Sequence, residues 1–168
     1  MPWSRLVLSA VCGTGVALAA PGVAAATTTY NDSVYGIEYS ATSTEGKFSG
    51  TAYGALPGAW AATVDHTPLS PNATVTGGSM SLRTVLNRTS TNVSGTVTGG
   101  QVVRTNPGAT GCVNQYYAVR LVLGRVGPSG AGSGTGSFGG TLTHYRRSIF
   151  GTCVTYSATI SGSMSLTF

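Results

Sequence analysis

Two histidines and four carboxylates carry most of the acid–base chemistry open to this 168-residue chain. His66 closes an alternation with Val64, Ala62 and Trp60, and His144 closes one with Leu142, Gly140 and Phe138. Period-two spacing predicts that each imidazole ends a strand on its inward face, at the mouth of a barrel. An inward imidazole beside Asp65 or Tyr145 could take up and return a proton near neutral pH. His66, His144 and Asp65 are therefore the candidate catalytic residues. The plainer role is a strand-end histidine bonded to a backbone carbonyl. Two histidines at unrelated spacing do not compose a metal site, and nothing in the chain calls for a cofactor.

The carboxylates are Asp32, Glu38, Glu45 and Asp65. A glycosidase needs two of them flanking one bond, and no spacing here pairs them. Glu45 sits in a turn with Gly46, and Glu38 is expected to face water, opposite Tyr35, Ile37 and Tyr39. The glycine run from Gly132 to Gly140 superficially matches a phosphate loop. It leads into the strand pattern Thr141–Arg147 instead of a helix, so it reads as a hairpin tip.

Aromatic residues offer a second chemistry. Tyr53, Tyr116 and Tyr145 fall opposite the apolar residues of their strands, and with Trp60 they are the candidate binding residues. An exposed aromatic platform suits stacking on sugars or flat ligands.

The elements that must position these groups are strands. No i, i+3, i+4, i+7 apolar pattern lasts three turns, while alternation recurs along the chain. About eight strands are expected, near 33–43, 47–54, 59–66, 73–86, 92–104, 112–126, 134–147 and 152–168. Turn residues separate them, among them Leu56-Pro57-Gly58 and Asn106-Pro107-Gly108. The fold class is all-β, a single antiparallel β-barrel or β-sandwich. Expected inward sets are Tyr35, Ile37 and Tyr39 in the first strand, and Val113, Tyr117, Val119, Leu121 and Leu123 in the sixth. The last strand turns Ile160, Gly162, Met164, Leu166 and Phe168 inward. Segments 73–82 and 158–166 match except for one extra glycine, and a bulge at Gly77-Gly78 would return Met80 and Leu82 to the core side.

Residues 1–26 read as an export signal: Arg5, an apolar stretch from Leu6 to Ala20, then Ala24-Ala25-Ala26 before the expected cut. Residues 27–168 are then one secreted β domain. Cys112 and Cys153 remain after the cut and are expected to form a disulfide. In a plain meander they would begin strands on either side of the seventh, too far apart to bond, so either the Asn106–Gly111 loop curls over that strand, which is preferred, or the sixth and eighth strands are neighbours by another route. The charge, +5 over the chain with only 8% charged residues, is mild and scattered. No basic stripe exists to track phosphates, so nucleic acid is not an expected partner. The leading expectation is a non-catalytic extracellular module binding a small apolar ligand, a glycan or a protein surface. An isomerase or cyclase working inside the barrel through a histidine is the first alternative. An eight-stranded outer-membrane barrel, suggested by terminal Phe168, is the second, although a membrane location is disfavoured by the scarcity of charge for a polar lumen.

Overall fold

The computed structural model describes residues 27–128 and 132–168; the expected export signal, 1–26, lies outside them. Eight strands follow one another as a meander and close into a barrel in which each strand pairs antiparallel with its sequence neighbours and β1 pairs with β8. They are β1 (Thr29–Ala41), β2 (Glu45–Gly54), β3 (Gly58–His66), β4 (Ala73–Leu86), β5 (Thr89–Arg104), β6 (Gln115–Pro128), β7 (Gly134–Ile149) and β8 (Thr152–Thr167). Closure removes both sheet edges. It is completed by Thr28 and Phe168, whose backbone N–H groups each donate to the other's carbonyl, at 2.9 and 3.1 Å. We call the end that holds the β1–β2, β3–β4, β5–β6 and β7–β8 connections the upper end.

Eight strands leave an interior that side chains can fill or that can hold one small ligand. Apolar side chains from all eight strands fill most of this one. At the lower end Leu56, Leu82, Val93, Val126 and Leu166 are wholly buried. Leu56 comes from the β2–β3 turn and plugs that end. Its N–H donates to Asp32 Oδ1 at 2.8 Å, while Thr84 Oγ1 donates to Pro57 O at 2.9 Å. The inward polar groups at this end thus fasten the turn that carries the plug.

The first strand runs in the opposite phase to the expected one. Asp32, Val34, Gly36 and Glu38 point inward, and Tyr35, Ile37 and Tyr39 are about half exposed on the outer face. The cause lies two strands away. Gly36, Gly50 and Trp60 are in register across β1, β2 and β3, and the indole lies against the glycine wall. A Cβ on Gly36 would come within 2.7 Å of Trp60 Cζ2, and one on Gly50 would strike the Tyr35 carbonyl. An aromatic ring laid over paired glycines fills the volume that β1 leaves empty. The opposite wall repeats the device: Phe138 lies over Gly140 and Gly162, which are partners in the β7–β8 ladder. Most of the Gly132–Gly140 run is therefore strand β7, and its glycines serve packing instead of forming a hairpin tip.

Two local expectations meet the structure closely. The β3–β4 ladder shifts register between Asp65 and His66, opposite Gly77 and Val75, and Val75, Met80 and Leu82 all point inward. Cys112 and Cys153 are bonded, with Cα atoms 5.4 Å apart. The β5–β6 loop does cross β7 to make that bond, and on the way Asn114 Oδ1 accepts the Arg146 N–H at 3.0 Å. Val113 belongs to this loop and is exposed; it is not part of the core. The β4–β5 connection is a two-residue turn at Asn87-Arg88, both with positive φ, so β5 begins earlier than expected.

Candidate functional site

His66 ends β3 and is buried, facing the interior. Its Nδ1 lies 2.8 Å from Thr67 O; since a carbonyl only accepts, Nδ1 carries a proton, and Nε2 is a lone pair whenever the ring is neutral. Asp65 lies on the outer face, as the residue next to an inward one must in a strand. It is not beside the imidazole and cannot act with it.

His144 finds a partner that linear spacing hides. Its Nε2 stands 3.0 Å from Glu38 Oε2, and the two side chains are only 12% and 9% exposed. The pair is made by barrel closure: Ile37 pairs with Thr159 and His144 with Ala158, so Glu38 and His144 stand on either side of Ala158. The small Ala158 side chain leaves room for the longer ones to meet. The contact is close but off-axis, so Nε2 is left without a directed hydrogen bond.

Tyr117 packs beside this pair, with ring centroids 5.2 Å apart, and donates its hydroxyl proton to Gln115 Oε1 at 3.0 Å. Burial raises its pKa above the usual tyrosine value, the Glu38 charge adds to that, and Arg104 and Arg146 pull the other way. Glu38, His144, Tyr117 and the two arginines thus gather the titratable groups of β1, β5, β6 and β7 at the upper end.

Below them lies an apolar cavity of about 60 Å³, counted as space open to the centre of a water. That is room for roughly four to six waters, or for a ligand of one or two rings. Trp60, Phe48, Phe138, Met80 and Met164 form much of its wall, and Leu69 from the β3–β4 connection closes over it. Among the described residues, Glu38 and His66 are the side chains on that wall with ionisable groups.

The four aromatic candidates are scattered. Trp60 faces the cavity, with Nε1 donating to Tyr35 O at 3.3 Å. Tyr53 is 60% exposed on the outer face, one row from Tyr35; Tyr116 is exposed on β6. Tyr145 is half-buried where β7 bulges, 6.4 Å from Tyr156, whose ring also carries the Arg147 guanidinium at 5.1 Å. Among the described residues no three of His, Cys, Asp and Glu converge as metal ligands would.

Sequence reasoning missed Glu38 and took Tyr35 and Tyr39 for core. One signal was present. Trp60-Ala-Ala-Thr-Val-Asp-His66 and Phe138-Gly-Gly-Thr-Leu-Thr-His144 share an aromatic, a small residue, threonine, an aliphatic and histidine at equal spacing. They run into the matching β4 and β8 segments, so β3–β4 and β7–β8 are equivalent hairpins on opposite sides of the barrel. The molecule is of a definite class: an up-and-down antiparallel barrel of eight strands, plugged below, with a small cavity and an acid–imidazole pair above. In comparisons with known proteins, no family model, curated protein or solved structure matches the chain.

Proposed function

We propose that this is a secreted, non-catalytic barrel that binds one small apolar ligand inside. The observation that carries the reading is the cavity itself: apolar walls of Phe48, Trp60, Met80, Phe138 and Met164, ending at Glu38 and His66. Apolar cavities of this kind hold apolar guests, with a few polar groups fixing orientation. The disulfide supports an oxidising, extracytoplasmic setting. An aqueous exterior is supported by the outward rows: Ser33 lies between Tyr53 and Ser163, and Tyr35 between Thr51 and Ser161. A lipid-embedded barrel carries apolar residues there and polar ones within.

Trp60 supplies the test. Titration with non-fluorescent apolar ligands up to the size of indole should give saturable changes in tryptophan fluorescence that vanish in Trp60→Phe. The cavity-filling Ala62→Leu variant should weaken binding tenfold or more, about 1.4 kcal/mol. No saturable response to any ligand of that size would end the reading.

A catalytic reading draws on one observation, the Glu38–His144 contact. Of that pair Glu38 lines the cavity, and a buried carboxylate backed by an imidazole can move a proton on a carbon acid. Deuterium uptake from D2O into a small cyclic ketone, at a rate lost in Glu38→Gln, would favour it. A rate no faster than buffer would remove it.

A further inference from the structure

We infer that the ligand is a small apolar amine whose ammonium group sits on Glu38, an assignment that rests on the cavity reading above and gives it a chemical class. The inference comes from what the wall can and cannot offer. Its hydrogen-bonding side-chain groups are few, and each has been placed. Trp60 has given its only N–H to Tyr35 O. His66 has given Nδ1–H to Thr67 O, leaving the lone pair of Nε2. Met80 and Met164 bring sulfurs, which accept weakly. Glu38 brings two carboxylate oxygens on a side chain nine-tenths buried, and among the described residues no directed hydrogen bond reaches them. His144 stands close by, but its Nε2 is off-axis.

Every side-chain polar group left over in the cavity is therefore an acceptor while His66 is neutral. The complement is a donor. An alcohol brings one O–H, whereas an ammonium brings three N–H groups and a positive charge, so it can give Glu38 the directed, charge-assisted bonds that the off-axis His144 contact does not. The wall favours the same guest, because Phe48, the cross-strand partner of Glu38, brings an aromatic ring beside that carboxylate, where a cation gains from the ring as well. A carboxylate guest would meet Glu38 as a second anion with no free donor on the wall. Against this stand Arg104 and Arg146, whose charges reach Tyr117 at the same end. They are not part of the cavity wall. An anionic ligand held at the mouth is the outcome that would reveal them as the dominant groups.

Calorimetric titration of the protein with 2-phenylethylamine, 2-phenylethanol and phenylacetate separates these cases, since the three share one ring and differ in the polar end. The amine should bind at least about tenfold more tightly than the alcohol, with phenylacetate weakest. In Glu38→Gln, which keeps the shape and removes the charge, the amine should fall to the level of the alcohol while alcohol binding persists. Persistence of alcohol binding also reports that the variant is folded. Equal amine and alcohol affinities in the native protein, or tightest binding of phenylacetate, would overturn the amine assignment and leave the cavity reading standing. An amine preference that survives Glu38→Gln would remove Glu38 as its seat. No heat from any of the three, and none from indole, would overturn both. The native-protein comparison decides the ligand class even if Glu38→Gln fails to fold, and Glu38→Asp, which keeps the charge, then tests the seat by retaining the preference.

Discussion

The two ends of this barrel use inward polar residues in opposite ways. At the lower end Asp32 and Thr84 are buried and aimed at a turn, where they accept and donate the bonds that hold Leu56 in place. At the upper end Glu38 and His144 are nearly as buried, yet their contact is off-axis, and Glu38 borders empty space. One end turns its polar side chains to closing the barrel, with Asp32 Oδ2 the atom left over there; the other holds its carboxylate at the edge of the cavity. A buried carboxylate without directed donors is costly to keep, so its place is better explained by what enters the cavity than by stability. That contrast teaches where to look for function.

The contrast is open to attack by mutation. The largest effect should come from the staple at the upper end. Removing Cys112–Cys153 frees a segment with a sequence separation of 41 and should lower stability by about 4 kcal/mol in urea titrations with and without reductant. Leu82→Ala, in the wholly buried lower core, should cost about 3 kcal/mol by the same measurement and leave cavity-ligand affinity unchanged. Asp32→Ala strips the acceptor from the buried Leu56 N–H and should cost about 2 kcal/mol. Glu38→Gln should shift stability by less than about 1 kcal/mol, because the His144 contact is off-axis and no directed hydrogen bond is lost. A loss as large as that at Asp32 would show that the upper pair is structural too, and would erase the contrast.

The smallest effect concerns pH. Burial holds the Tyr117 hydroxyl protonated beyond the usual tyrosine range. Above about pH 10 the unfolded chain therefore releases this proton before the folded one does, and stability falls as pH rises through that window. Ultraviolet titration should show one late-titrating tyrosine of the eight, absent from Tyr117→Phe.

Strand content and the bulge before Met80 were legible in the sequence because each depends on residues close together in the chain; the loop that carries Cys112 over β7 was legible because two cysteines 41 residues apart had to meet across a meander. The phase of β1 was not. Hydrophobicity alone favours turning Tyr35, Ile37 and Tyr39 inward, and only the volume of Trp60 against Gly36 and Gly50 reverses that choice. The Glu38–His144 pair was hidden for a related reason. It exists only once β1 has closed onto β8, and no local pattern encodes that closure. The Asn87-Arg88 turn was missed because the second residue lacks the glycine that usually marks such a hairpin.

The mutual bonds of Thr28 and Phe168 place the two extremities of the barrel side by side. Connectivity around the ring is then a matter of bookkeeping: a short linker across that junction, with new termini cut at Asn87-Arg88, would leave all eight strand pairings unchanged. A circular permutant of this kind should keep the same guest in the same cavity while moving the start of the chain to the far side of the ring.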